Sequence, residues 1–259
     1  MDITDVATAR SAATAVARII AAVATPAFSA EKPLPGAANL RTEPLELRPW
    51  VGFSDLLETC WHNGVPVIYV PSLPVSKKKM DGMVVYCDSR PVVLLTKKNE
   101  HPAWMLFVLA HEMGHLALRH VEARDGSALI DERVVEDEAL IADPQEIDAN
   151  AYALELLTGG KKRLTLKFLM KAGDLAENAK AYGAQHHIDP GHVLNAVRNT
   201  RVKGEVPWSL GNSALRLIDH EASVSRACRE ALLANIKVDA LSDDSFEFLE
   251  RLGVLPSSD

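Results

Sequence analysis

Apolar residues recur along this chain first at helical spacing, then in short strand-like runs, then at helical spacing again. Residues 4 to 24 are rich in Ala with periodic Val and Ile, which predicts a helix. The Pro- and Gly-containing stretch from Pro26 to Pro49 breaks that period and reads as a linker or arm. A helix is expected from Ser54 to Asn63, with Ser54 as its cap and Gly64 as its stop. Three β-like runs follow, Val65 to Val70, Met83 to Cys87 and Val92 to Thr96, the last two joined by the turn Asp88-Ser89-Arg90. Trp104 to Ala110 is almost wholly apolar and continues as a helical pattern, so this helix is expected to be buried. Further helices are expected at 164–172, 175–186 and 190–200, and a terminal helical pair between Asp219 and Leu255. Together these elements predict an α+β fold with a small β-sheet beside a buried helix and a mainly helical C-terminal region. The breaks suggest an N-terminal helix and arm (1–49), a central domain (50–204) and a C-terminal helical extension (205–259).

The buried helix carries His111-Glu112-Met113-Gly114-His115. Two histidines four apart share one helix face, so both imidazoles can reach one metal ion. Glu112 is turned by about 100° from His111 and can meet a water on that ion without ligating it. An H-E-x-x-H string also arises on ordinary surface helices, with nothing bound. The apolar lead-in argues against that here, because burying two imidazoles and a carboxylate without partners costs several kcal/mol.

A catalytic zinc usually keeps three protein ligands. About thirty residues downstream, Pro144 opens a helical pattern in which Ala149, Ala153, Leu156 and Leu157 form an apolar stripe. Glu146 and Asn150 share a face of that helix. Glu146 is read as the third ligand, and Asn150 as a group that hydrogen-bonds a ligating histidine. Asp148 is the rival ligand, about 200° away around the helix from Glu146. An acidic helix start favoured by the helix dipole would need no metal at all.

HEMGH followed by EIDANAYALELL resembles the ImmA/IrrE family of zinc metallopeptidases, whose pattern is H-E-x-G-H and then E-x-E-A-N-x-F-A-x-x-L-L. Gly64-Val65-Pro66-Val67 and Pro91-Val92-Val93-Leu94-Leu95 resemble the family's strand-then-helix opening. The likeness covers roughly residues 50 to 200. Asp148 stands where the family often has a second Glu, and Tyr152 where Phe is usual. The resemblance implies a zincin-like, more narrowly gluzincin-like, fold. It also implies regulated proteolysis, commonly of a helix-turn-helix repressor, with Zn²⁺ as cofactor.

The chain has 259 residues, enough for one sizeable core with appendages. Its net charge of −7 gives no basic footprint for nucleic acid, so direct DNA binding is not expected. Cys60, Cys87 and Cys228 are few, odd in number and far apart, which a reducing compartment permits; all three are expected to be buried. Ile19 to Val23 followed by Phe28-Ser29-Ala30 could pass for a short export signal. Asp2 and Asp5 precede Arg10, however, and Arg18 abuts the apolar stretch, so a cytoplasmic location is the expectation. No run approaches the roughly twenty apolar residues of a membrane span.

Val121 to Asp143 is rich in acids, including Glu132, Glu136, Asp137 and Glu138. It reads either as a lid over the cleft or as a solvated loop. Lys77, Lys78 and Lys79 read as a solvated loop tip. The stretch GAQHHIDPGHVLNAVRN resembles half of a helix-turn-helix, with packing rather than phosphate contact as its expected role.

The expected chemistry is hydrolysis of a peptide bond by a metal-activated water. His111, His115 and Glu146 would hold zinc, and Glu112 would move the proton. Tyr182, His186, His187 and His192 are candidate donors to the oxyanion, none favoured over the others. The expected partner is a protein substrate, a separate repressor or antitoxin-like chain. The alternative is a metal-binding regulatory protein that binds such a partner without cutting it.

Overall fold

The computed structural model of the chain describes residues 3–32, 34–73, 80–96, 101–131, 134, 143–160, 164–219 and 222–256, with side chains from residue 8 onward. The described residues form an α+β structure of ten α-helices and one four-stranded mixed sheet. None of their helices is long and apolar enough to cross a membrane.

The sheet has the order β1-β3-β2-β4. β1 (Val67–Tyr69) runs parallel to β3 (Arg90–Leu95), and β2 (Gly82–Cys87) runs antiparallel to both β3 and β4 (Ala128–Asp131). β2 and β3 form a hairpin closed by Asp88 and Ser89, both at positive φ, as a two-residue turn matched to strand twist requires. The expected strands and their turn are therefore present. β4, within the stretch read as a lid or loop, was not foreseen.

β1, β2 and β3 are buried on both faces, so their side chains divide by alternation between two cores. Val67, Tyr69, Val84, Tyr86, Val93 and Leu95 pack with α3 (Phe53–His62), α4 (Ala103–Ala117) and α5 (Pro144–Thr158). Ile68, Met83, Val85, Val92 and Leu94 pack on the opposite side with Ala13, Val16, Ala17 and Ile20 of α1 (Ile3–Val23). That second core also takes Leu232 of α9 (Val224–Ala234), Leu249 of α10 (Asp243–Arg251), and Val254 and Leu255. The two ends of the chain thus cover one face of the central sheet.

The expected linker across Pro26 to Pro49 is corrected by α2 (Ala37–Leu47). Pro44 lies inside this helix, where its missing N–H forfeits only the bond to the Leu40 carbonyl. Tertiary contacts outweigh that loss. Leu40 is buried, and Arg41 donates to the carbonyls of Leu156 at 2.9 Å and His187 at 2.6 Å. α3 matches its prediction except for the cap: the Gly52 N–H donates to Asp55 at 2.7 Å, and Ser54 is not used.

Helices α6 (Ala172–His186), α7 (Val193–Asn199, entered through a 3-10 turn at Pro190–His192) and α8 (Trp208–Ile218) gather around a smaller apolar core. The helix expected at 164–172 does not form, apart from Ala172, which opens α6. The backbone there is satisfied by side chains instead: Asn199 donates to the Leu164 carbonyl at 3.0 Å, and the Leu166 N–H donates to Thr200 Oγ1 at 2.9 Å.

Candidate metal centre

α4 is buried along twelve of its fifteen residues, and Glu112 is its single carboxylate. It lies against α5 at Gly114. A Cβ there would meet the Ala149 carbonyl oxygen at 3.0 Å and its Cα at 3.1 Å, so a larger residue would push the helices apart. α5 starts where the sequence predicts, with the Asp143 side chain accepting from the Gln145 N–H and Pro144 in the first turn. This close packing sets the first two turns of α5, carrying Glu146 and Asn150, across from His111 and His115.

The Nε2 atoms of His111 and His115 meet 2.9 Å apart, with their rings 80° to one another. Two imidazole nitrogens can face each other so closely only with a cation or a proton between them. Glu146 brings Oε2 to 3.2 Å from His111 Nε2 and Oε1 to 3.4 Å from His115 Nε2. Asp131, the last residue of β4, places Oδ2 at 3.6 Å and 3.8 Å from the same two nitrogens. All four ligand atoms lie within 4.8 Å of one another. The corners of a tetrahedron with metal–ligand bonds of about 2.0–2.1 Å are about 3.3 Å apart. The observed distances bracket that value, so this group can bind a metal ion, and its two carboxylates would balance a divalent charge.

His111, His115 and Asp131 are buried, whereas Glu146 leaves a quarter of its side chain exposed, which gives the site its opening. Neighbours fix the rings. His111 Nδ1 lies 2.9 Å from Asn150 Oδ1; an Nδ1–H donating to that oxygen leaves the Nε2 lone pair for the ion. His115 Nδ1 lies 2.9 Å from His120 Nδ1, and donation by His115 produces the same tautomer. Burial opposes ionisation of Glu146, but hydrogen bonds and charge from His111 and His115 prevail and hold its pKa below the ordinary carboxylate value.

Glu112 is fully buried, and neither of its oxygens has a donor among the described residues. Space for it is left by Gly82, the first residue of β2, where a Cβ would fall 1.9 Å from Glu112 Oε1. Burial pushes the Glu112 pKa well above the usual carboxylate range, and the neighbouring Asp131, Glu146 and Asp81 add to the rise. Burial likewise raises the pKa of Asp131.

The structure therefore brings together the residues proposed from the sequence as ligands, base and ring-orienting group: His111, His115, Glu146, Glu112 and Asn150. The rival ligand Asp148 is exposed on α5 and stands outside the metal group. Two members were missed. Asp131 is one acid among many in its segment, and only the short apolar run Ala128-Leu129-Ile130 before it hinted at a strand. His120 lies five residues after His115, beyond the helix, where no helical periodicity could relate it to the site.

The candidate oxyanion donors lie outside the metal group. The rings of Tyr182 and His186 pack together tilted by 42°, with centroids 4.2 Å apart, and His187 Nδ1 lies 3.0 Å from the Pro49 carbonyl. His192 is buried beside Asn195, whose Nδ2 lies 2.7 Å from its Nδ1. Burial pushes the His192 pKa down to about 4, helped by the Arg198 charge. Lys77, Lys78 and Lys79, and Glu132, Glu136, Asp137 and Glu138 of the expected lid, fall outside the described residues. Cys60, Cys87 and Cys228 are buried, as expected.

No family model matches the chain, and no curated protein or solved structure resembles it significantly.

Proposed function

We propose that this chain is a zinc-dependent endopeptidase with a zincin-like core. The observation that carries the reading is Glu112: a wholly buried carboxylate without a donor, in a space kept by Gly82, beside a convergent set of metal-binding side chains. A scaffold that merely held an ion would gain nothing from this carboxylate and would bear its desolvation cost. Two imidazoles with carboxylates suit zinc. When bound, the ion supplies Lewis-acid polarisation of a carbonyl and makes an adjacent water more acidic.

The residues then have distinct tasks. His111, His115 and Glu146 hold the ion, and Asn150 and His120 orient the two rings. Glu112 takes a proton from the attacking water as the carbon–oxygen bond forms. It returns that proton to the leaving amine as the carbon–nitrogen bond breaks. The resemblance of HEMGH and EIDANAYALELL to the ImmA/IrrE pattern suggests regulated cleavage of a separate repressor or antitoxin-like protein in the cytoplasm.

Glu112→Gln tests this directly. The variant should keep its metal, measured by elemental mass spectrometry, and melt no lower than the parent, because the amide keeps the side chain's shape and burial opposes a charge there. It should also abolish the new protein termini that the parent generates in cells co-expressing a candidate repressor or antitoxin-like partner. Identical termini from both proteins would sink the peptidase reading.

One observation favours a second reading, a metal-binding regulatory protein that engages its partner without cutting it. Asp131 brings the ligand set to four protein groups, the number typical of closed structural zinc sites.

A further inference from the structure

The residue that closes the ligand set is carried on the strand at the edge of the sheet that the described residues form. β4 pairs along β2 with Asp131 opposite Gly82, Leu129 opposite Val84 and Ala128 opposite Val85. Asp131 and Leu129 point to the α4 side of the sheet, where Leu129 packs on the core containing α4. Gly82 is the residue against which Glu112 rests. β4 therefore lies along the backbone nearest to the base and delivers a carboxylate to the group that would hold the ion.

The opposite edge of the sheet, β1, is packed against α9. β4 is short, and three of its four residues are only half-buried. Leu129, Asp131 and their neighbours hold it to β2 through main-chain bonds such as Asp81 N–H to the Asp131 carbonyl, 2.7 Å, and Tyr86 N–H to the Ser127 carbonyl, 2.9 Å. Those bonds use the backbone of β4 and would be offered equally by any extended peptide.

Building on the peptidase reading, we propose that β4 is an internal occupant of the substrate's place: Asp131 acts as a fourth, removable ligand, and the protein takes substrates as extended strands that replace β4 along β2. A carbonyl oxygen can reach the ion once Asp131 withdraws. The same movement frees the N–H and C=O groups of β2 beside Glu112, so opening the metal and opening the peptide-binding edge are one event. Selectivity follows from this geometry. A partner must supply a segment able to lie extended, with residues facing α4 small enough to pass Gly82 and the base, and a helical segment cannot use this edge until it unwinds.

The test uses the full chain loaded with Co²⁺, whose absorption reports its coordination, and acetohydroxamate as a ligand that needs vacant positions on the metal. Asp131→Asn removes the fourth carboxylate with little change of shape. Leu129→Pro removes a main-chain donor from β4 and leaves all four metal-binding side chains in place. If the open form is at most about a tenth of the population, apparent hydroxamate affinity should rise at least about tenfold in both variants.

A second readout is direct. A synthetic peptide of sequence SALID should bind Leu129→Pro at least about tenfold more tightly than the parent. Equal hydroxamate affinity in the parent and Asp131→Asn would overturn the proposal, and this comparison stands alone if Leu129→Pro does not fold. Neither readout requires turnover, so the two ideas fail separately. A hydroxamate gain in Asp131→Asn, together with identical termini from the parent and Glu112→Gln, would keep the closure and discard the peptidase.

Discussion

Two glycines define the space in which the proposed base works. Gly82 stands where any side chain would overlap Glu112 Oε1, and Gly114 stands where α4 and α5 touch. Gly82→Ala should displace the Glu112 carboxylate while leaving the ligands in position. The expected result is loss of at least about tenfold in kcat with metal content unchanged, since small misplacements of a catalytic group are costly. Retained kcat would show that Glu112 does not act from its present place. Asn150 makes a different contribution, through the ring it orients. Asn150→Ala should weaken metal binding by about 10–100-fold, read by competition with a chelating dye. Unchanged affinity would show that packing alone holds His111.

At the scale of elements, what could be read in the sequence was what is local. HEMGH and EIDAN each lie within one helix, so period and spacing reveal which side chains share a face. The glycine of the first motif and the alanine of the second then meet where α4 crosses α5. The hairpin of β2 and β3 was legible for the same reason, its turn residues lying between two apolar runs. β4 was not legible, because four residues without alternation become a strand only when β2 is beside them. α2 was hidden by Pro44 and by the prolines around it, and it is a helix through distant contacts. Its Arg41 supplies donors to the last turn of α5 and to the segment after α6, and it is nearly buried. Arg41→Ala should leave those carbonyls without donors and lower stability by about 2–4 kcal/mol in urea unfolding. A loss below about 0.5 kcal/mol would place the stability of this junction in apolar contacts instead.

For the molecule as a whole, buried His192 and half-buried Asp189, near the start of α7, oppose each other as acidity changes. The neutral form of His192 is favoured, with a pKa lowered to about 4, so its contribution to stability is present above about 6.5 and is lost as pH falls through 4. Asp189 is pushed up to about 6, first by burial and then by Asp55 and Asp219, despite accepting from the Gly191 N–H at 2.6 Å. Its folded form binds the proton more tightly than the unfolded chain, so its contribution is fully present below about 3.8 and disappears as pH rises through 6. Asp189→Asn keeps an oxygen for the cap and cannot ionise. At pH 7 the variant should be more stable than the parent by about 1–3 kcal/mol, and the difference should vanish below about pH 4. A variant less stable than the parent at pH 7 would mean that the charge on Asp189 is needed there.

The three cysteines lie on three elements, Cys60 on α3, Cys87 at the end of β2 and Cys228 on α9; Cys60 and Cys228 face one core and Cys87 the other. Burial pushes the Cys60 thiol to about 12 and the Cys87 thiol to about 11, so neither presents a thiolate while its site stays shut. Each is a built-in stopwatch. During a timed exposure to iodoacetamide, every added mass marks the moment at which one of these sites has opened. The order of the three marks gives the sequence in which these parts of the molecule come apart, with no residue substituted.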